Sequence, residues 1–366
     1  MKLGIFGLPK CGKTTLFRAL TGHSDLDGAK RSSHEPLVGV VKIDDERLTV
    51  LAQHFKPKKV TPVTVEYWDL PGITDGNLED GGRCSLPDGF LAQIRSMDAI
   101  IHCLRFFDSD FIGSPSDPFK DFLRIEEEML LSDLSIIEKR LDRLEKDLQK
   151  LRKEAIKDAV VECELLKQAK DILDQGKPLR TFPPALSSEK LRSYAFLSAK
   201  PSLVLINAGQ EKSHEQLARV LKTLQDHIKD QPNIIADALF ADNEAEIARL
   251  SPEEAKEFLA DLKVESSAKQ RIVKTSFDLL QLIVFLTAGE KEVRAWQIKK
   301  GSTALIAAEA IHTDIARGFI RAEVVYYEDF KKAGSMQIAQ KEAKVRLEGK
   351  EYIVKDGDMI LFRFNV

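Results

Sequence analysis

The chain has 366 residues, 43% of them hydrophobic and 31% charged, with 55 Lys and Arg against 58 Asp and Glu for a net charge of −3. That is ordinary globular composition with room for two or three domains, and the charge excludes a free polycation that coats DNA while leaving room for RNA docking through a local patch. No run approaches the ~18 apolar residues of a membrane span, the longest candidate being LLQLIVFLTA from Leu279, and the amino terminus lacks a signal-peptide layout. A cytoplasmic protein is expected. Cys11, Cys84, Cys103 and Cys163 form no C-x-x-C pair or metal spacing, in keeping with reduced thiols.

In chain order, Leu3 to Phe6 predicts a buried strand, and Leu16, Phe17 and Leu20 predict an amphipathic helix. Between them stands GLPKCGKTT, where Gly7, Gly12, Lys13 and Thr14 complete the pattern G-x-x-x-x-G-K-[ST]. Glycines let the backbone curl so that N–H groups point at phosphate oxygens, Lys13 reaches the outer phosphates, and the Thr14 hydroxyl can ligate Mg²⁺. Leu8, Pro9, Lys10, Cys11, Gly12, Lys13, Thr14 and Thr15 are thus the candidate phosphate cradle, with the anion on a helix N-terminus. The dinucleotide fingerprint G-x-G-x-x-G is not met. Cys11 is either a small side chain facing the fold or a thiol whose oxidation blocks the loop.

Val63 to Trp68 predicts the next strand, followed at once by Asp69-Leu70-Pro71-Gly72. In this D-x-x-G the Asp69 carboxylate can hold Mg²⁺ through water, and the Gly72 N–H can meet a γ-phosphate, so Gly72 stands beside Lys13 as a catalytic candidate. Continuous apolar runs at Ala99–Leu104, Ser202–Asn207 and Asn233–Phe240 read as central parallel strands. Ligands in open α/β sheets bind beyond the carboxyl ends of strands, so Asn207 and Ala241 converge on one pocket with the phosphate loop.

Leu130, Leu134, Ile137, Leu141, Leu144, Leu148 and Leu151 alternate spacings of 4 and 3, a heptad seam. A second helical stretch from about Lys157 to Leu173 predicts an antiparallel hairpin, the alternative being one long continuous coil. The last ninety or so residues alternate with period two in VRAWQI, FIRAEVVYY, KVRLEGKEYIV and MILFRFNV, predicting a small mixed β domain from about Asp278. Arg294, Lys299, Lys300, Arg317 and Arg321 crowd within it as a phosphate-facing patch or a solvated surface.

GLPKCGKTTLFRALTG, VEYWDLPGI, FLAQIRSMDAIIHCLRFF, FLTAGEKEVRAWQIKKG, IHTDIARGFIRAEV and VKDGDMILFRFNV together resemble the YchF subfamily of Obg-like P-loop NTPases, end to end. The resemblance implies an α/β Ras-like P-loop G domain over residues 1–118 and 198–277, an inserted helical coiled-coil domain over 119–197, and a C-terminal TGS domain with a ubiquitin-like β-grasp over 278–366. It further implies a cytoplasmic, ribosome-associated protein linked to translation that hydrolyses ATP in preference to GTP.

Departures from the family pattern bear on the chemistry. Where the family has N-x-x-E, this chain has Asn207, Ala208, Gly209 and Gln210. The Gln210 amide offers both an acceptor and donors, which suits adenine or weak discrimination. Lys10 stands where the family has an Asn that can coordinate K⁺, so its ammonium either replaces that ion, or an arginine finger, or points to solvent. Ile73 follows Gly72 in place of a water-orienting Gln, so slow turnover is expected. Ser33 in SSHEP is the candidate Mg²⁺-sensing hydroxyl of switch I, and residues 74–90, rich in Gly and Asp, read as switch II. A slow ATPase switch acting on a ribosome or structured RNA is the leading expectation, as a monomer. A nucleotide-gated binding module with little hydrolysis and a conventional GTPase are the alternatives.

Overall fold

The computed structural model describes residues 1–22, 36–71, 88–108, 115–148, 153–251, 254, 255, 257 and 267–365. The chain runs through β1 (Lys2–Phe6), α1 (Lys13–Thr21), β2 (Leu37–Lys42), α2 (Glu46–Phe55), β3 (Val60–Thr61), β4 (Thr64–Asp69), α3 (Asp88–Arg95) and β5 (Ala99–Phe106). Two long helices follow, α4 (Pro118–Leu148) and α5 (Lys153–Asp174), then the short α6 (Pro183–Ser187) and α7 (Glu189–Arg192). The alternation resumes with β6 (Ser202–Ala208), α8 (His214–Ile228), β7 (Ile234–Leu239) and α9 (Ala241–Ile247). The closing strands are β8 (Leu282–Ala288), β9 (Val293–Lys299), β10 (Phe319–Tyr326), β11 (Arg346–Glu348) and β12 (Asp358–Phe364). These elements form two compact units, Met1–Val40 with Glu66–Leu279, and Val41–Val65 with Leu280–Val366.

The first unit is built on a sheet in the order β2-β4-β1-β5-β6-β7, with β4, β1, β5, β6 and β7 successively parallel. Every residue of β6 and all of β5 but Phe106 are buried. Strands covered by helices on both faces must be apolar throughout, which is why these segments read as uninterrupted hydrophobic runs. Their core joins Phe6, Ile100, Leu104, Val204 and Ile206 to Phe122, Ile125 and Met129 of α4. At the far end of β1 the chain leaves the sheet directly into the phosphate loop.

The inserted helices pack along the predicted seam. Ile137 and Leu144 of α4 are buried against Ala159, Cys163, Leu166, Ala169 and Leu173 of α5, with Leu130, Leu134 and Leu141 partly buried beside them. Lys170 pairs with Glu138 and Glu162 with Arg140, so partner numbers fall as α4 ascends, and the pair is an antiparallel hairpin. The Leu148 side chain and Leu151 lie outside what is described. α4 starts where Asp117 Oδ1 accepts from the Lys120 N–H at 3.0 Å ahead of Pro118, an N-cap followed by proline. Near its root, fully buried Arg180 donates twice to Glu126 of α4, at 2.8 and 3.0 Å. Asp133 of α4 accepts from the backbone N–H groups of Leu197 (2.9 Å) and Ser198 (2.8 Å), and burial pushes its carboxyl up to about 6.

The second unit carries a mixed sheet in the order β11-β10-β12-β8-β9-β3, crossed by a helix at Ala304–Ile311 whose Ala304, Ala307 and Ala308 pack on Phe285, Ala322, Val324 and Ile360. Residues 41–65, grouped with residues 1–118 in the sequence reading, pack with this unit. β3 pairs in parallel with β9, Thr61 Oγ1 donates to Glu292, and Arg47 bridges Asp45 and Asp356 at 2.7 and 2.8 Å. His54 and Phe55 of α2 pack their rings on Phe330. Among the described residues, no helix is long and apolar enough to cross a membrane.

Candidate functional site

The sheet brings three carboxyl ends together. Ile5 of β1 is in register with Asp69 of β4 on one side and Ile101 of β5 on the other, and β6 follows β5. Gly7 to Gly12 therefore leaves the middle of the sheet flanked by the ends of β4 and β5. Glycine is dictated at two positions by close approach. A Cβ on Gly7 would lie 2.3 Å from the Cys103 carbonyl oxygen, and one on Gly12 would lie 2.1 Å from Asn207 Nδ2 at a φ of +89°. Lys10, at the crown of the loop, also holds a positive φ of 59° and is exposed.

Three interactions define the phosphate end. Lys13 Nζ donates to the carbonyls of Gly7 (3.0 Å) and Leu8 (3.1 Å), so the ammonium lies folded over the loop it is expected to serve. Thr14 Oγ1 donates to Asp69 Oδ2 at 2.9 Å across 55 residues of sequence. Two hard oxygen donors side by side, one on the helix that leaves the loop and one at the end of the neighbouring strand, form a set that fits Mg²⁺. Leu8 packs against the main core, and Pro9 and Thr15 are partly buried around the loop.

Cys11 faces the fold, fully buried, and the Cys103 thiol of β5 donates to its carbonyl at 3.3 Å. Hydrogen bonding with the Cys103 side chain, opposed by burial, holds the Cys11 thiol down at about 7, while that same bond and burial push Cys103 well up. One residue earlier on β5, His102 is buried beside Phe6 with neither ring nitrogen hydrogen-bonded, and burial pulls it down to about 4. Burial thus favours the neutral imidazole, which lies across from Phe6, the residue before Gly7.

The other end is assembled from side-chain amides. Asn207, at the end of β6, donates from Nδ2 to the Cys11 carbonyl (3.2 Å) and accepts at Oδ1 from the Ala241 N–H (3.2 Å), linking the phosphate loop to the start of α9. The Ala241 N–H is thereby engaged within the protein. Gln210 Nε2 donates to Asn243 Oδ1 at 2.9 Å. A cavity of about 650 Å³ opens there, lined among others by Gln210, Lys212, His214, Phe240, Asn243 and Arg271. Asp108 braces the same loop through Lys212 Nζ (2.7 Å), and its N–H donates to Glu211 Oε1 (2.8 Å).

The structure brings Lys13, Thr14, Asp69, Asn207, Gln210 and Ala241 into this one region. Gly72 and Ser33 lie outside the described residues, so the γ-phosphate sensor and the switch I hydroxyl have no place in this geometry. Asn243 was missed by sequence reasoning, because an Asn in a short polar helix carries no motif. The Cys103 partnership was missed as well, since β5 reads only as an apolar strand.

Comparison with known proteins matches two regions to family models. A model described as a 50S ribosome-binding GTPase covers residues 2–162, and the YchF-GTPase_C model, described as a protein of unknown function, covers residues 282–365. The chain is 39% identical over 377 residues to the ribosome-binding ATPase YchF of Bacillus subtilis (strain 168), covering 99% of each. It is 35% identical to Obg-like ATPase 1 of Oryza sativa subsp. japonica, covering 100% of this chain and 92% of that one. The solved structure of the Schizosaccharomyces pombe YchF GTPase superposes with a TM-score of 0.81 at 27% identity, over 99% of this chain and 97% of that one.

Proposed function

The chain belongs to the YchF family of Obg-like P-loop NTPases, and from that premise we propose that it is a slow, Mg²⁺-dependent ATPase whose nucleotide state governs docking on the ribosome. Its nearly full-length likeness to proteins named ribosome-binding ATPases supports the reading. The observation that carries it is the Thr14–Asp69 hydrogen bond, which joins the expected magnesium ligands of two distant motifs beside Lys13.

The loop from Leu8 to Thr15 would cradle the phosphates through its backbone N–H groups. Lys13 would exchange its two carbonyl bonds for the outer phosphate oxygens, a move worthwhile only when a polyanion arrives. Thr14 and Asp69 would hold Mg²⁺, which supplies charge neutralisation between the outer phosphates. Lys10 takes the place of K⁺ in this reading, so hydrolysis in K⁺ and in Na⁺ should match. Gly72 and Ser33 would complete the γ-phosphate contacts. At the other end Asn207 would keep the base loops in register with the phosphate loop, and Gln210 would read the base. With no water-orienting Gln after Gly72, turnover rests on binding and charge stabilisation and should be slow. The hairpin at 119–197 and the domain at 278–366 are assigned to docking, and the protein is taken to act in the cytoplasm as a monomer.

Single-turnover phosphate release from ATP and from GTP with Mg²⁺, run beside Lys13→Ala, tests the chemistry. Release above the variant, faster with ATP, is expected. Equal release from both proteins leaves a binding module without hydrolysis, and a tenfold or greater preference for GTP makes it a conventional GTPase. Sedimentation with ribosomes under ATP and under ADP tests the docking.

A further inference from the structure

The basic residues of the carboxyl-terminal region do not form one patch. Arg317 pairs with Asp314 at 2.9 Å and Arg321 with Glu323 at 3.7 Å, and β9 separates Arg294 near its start from Lys299 at its end and Lys300 beyond it. A different cluster forms at the start of β9. There the loop from α2 to β3, Lys56-Pro57-Lys58-Lys59, is laced to the turn between β8 and β9. The Lys58 N–H donates to the Glu290 carbonyl at 3.1 Å, and the Val293 N–H to the Lys59 carbonyl at 3.0 Å. Lys56, Lys58, Lys59 and Lys291 are all exposed, and with Arg294 they set five positive side chains against Glu290 and Glu292. The chain as a whole is net negative at −3, so this is a local concentration of positive charge.

Arg294 differs from the other arginines of the second unit. Arg47, Arg317, Arg321, Arg346 and Arg363 each pair with a carboxylate. Arg294 makes no hydrogen bond or ion pair among the described residues; its guanidinium lies over the Trp296 ring, 3.8 Å from the centroid, and its buried Nε has no acceptor. The carboxylate two residues away is already engaged. Glu292 accepts from Thr61 Oγ1 and lies 3.5 Å from Lys59 Nζ, and the Thr61 hydroxyl first, then the Lys59 and Arg294 charges, hold its carboxyl below the usual range. Trp296 is itself fixed, because Nε1 donates to Thr287 Oγ1 at 3.0 Å and the ring lies 12° from parallel with that of buried Phe285. A guanidinium held against a fixed indole is a planar cation with unclaimed N–H donors, which a nucleic-acid base can stack on and a phosphate can bond to.

We propose that the α2–β3 loop and the start of β9 form an RNA-binding surface, with an unpaired base stacked on the Arg294 guanidinium and the flanking phosphates on Lys56, Lys58 and Lys291. It rests on the docking role proposed above for the carboxyl-terminal domain, with which residues 41–65 pack, and deepens it. The lysines alone would suit any polyanion, an acidic protein segment included. The Arg294–Trp296 platform is what selects a base. An unpaired nucleotide exposes the π-face that stacking needs, whereas a duplex offers one only at its ends.

The full chain would be titrated by fluorescence anisotropy with a labelled single-stranded RNA of about 12 nucleotides, a blunt RNA duplex of the same length and a polyglutamate of equal length. Wild type is compared with Arg294→Lys, which keeps the charge and removes the plane, and with the double variant Lys58→Gln, Lys291→Gln. Wild type should bind the single strand more tightly than the duplex or polyglutamate. Arg294→Lys should lose about tenfold on the single strand and nothing on the duplex. The double variant should weaken on both RNAs and lower the salt slope on the single strand by about 0.7 per lysine. Should Arg294→Lys melt early, quenching of tryptophan emission in Trp68→Phe protein, by the single strand and not by the duplex, reports the same contact. Equal affinity of wild type and Arg294→Lys for the single strand overturns the proposal, as does a wild type that prefers duplex or polyglutamate or binds no RNA. Ribosome sedimentation keeps the two readings apart. Wild type and variants that sediment alike under ATP leave the docking reading standing and remove this surface, whereas a wild type that sediments in neither nucleotide state removes the docking reading and the surface's role on the ribosome with it.

Discussion

The two ends of the candidate site are made of different material. The phosphate end is backbone: a turn between β1 and α1 in which Gly7 and Gly12 have no room for a Cβ, closed by Lys13 on main-chain carbonyls and by Thr14 on Asp69. The base end is side chain: Asn207, Gln210 and Asn243, whose amides bond one another and neighbouring main chain across two loops. A backbone cradle admits few substitutions and treats all triphosphates alike. An amide pair is retuned by one residue, so affinity and selectivity should separate along this line.

Removing Lys13 tests the division most severely. Lys13→Ala should slow phosphate release by about 10²–10³-fold, the usual loss for one positioned charge, and by the same factor for ATP and GTP. Single-turnover assays with both nucleotides measure it. A loss confined to one base would break the separation, because it would show the phosphate end reading the base.

Acidification should act on both ends together. β5 lies between β1, which leads into the phosphate loop, and β6, which ends in Asn207. His102 on β5 is pulled down to about 4 from 6.5, chiefly by burial, so the unfolded chain binds a proton between those values while the folded chain does not. Its contribution is fully present above pH 6.5 and is lost as pH falls toward 4, about 3 kcal/mol in all. Asp133 acts oppositely, since its carboxyl is pushed up to about 6 and the folded state gains stability as it protonates. The difference between wild type and His102→Leu isolates the imidazole. Urea unfolding should show the variant gaining about 3 kcal/mol relative to wild type between pH 6.5 and 4, and a flat difference would remove the buried neutral histidine from the account.

The same contrast decides what could be read in advance. The strand, turn and helix around Gly7 to Thr15 were legible because backbone constraints leave fixed residue types at fixed spacing. The hairpin was legible because Ile137 and Leu144 must recur on one face to meet α5. Residues 41–65 were not assigned to the second unit, since β3 is only Val60 and Thr61, too short for any periodicity. The Arg180–Glu126 pair joins positions 54 apart with nothing local to announce it, and Asn243 earns its place only through Gln210.

Gly12→Ala probes the seam between the ends, because this one residue borders both. The new Cβ would sit 2.1 Å from Asn207 Nδ2 at a φ of +89°, so the loop or the amide must give way, at a cost of about 1–3 kcal/mol. Tripolyphosphate affinity and the ATP-to-GTP ratio should both change, as read by calorimetry. A change in only one of them would mean that Asn207 does not couple the ends.

The smallest effect belongs to the base end alone. Ser213 caps α8 in a reciprocal box, its hydroxyl accepting from the Gln216 N–H (3.1 Å) while Gln216 Oε1 accepts from the Ser213 N–H (2.8 Å). This cap fixes the chain three residues after Gln210. Ser213→Ala should cost about 1 kcal/mol of stability in urea unfolding. Since the cap touches the β6–α8 loop and none of the phosphate cradle, tripolyphosphate affinity should stay at the wild-type value while the ATP-to-GTP ratio shifts by a small factor. A fall in tripolyphosphate affinity instead would show that the base loop supports the phosphate grip, and the two ends would then have to be treated as one.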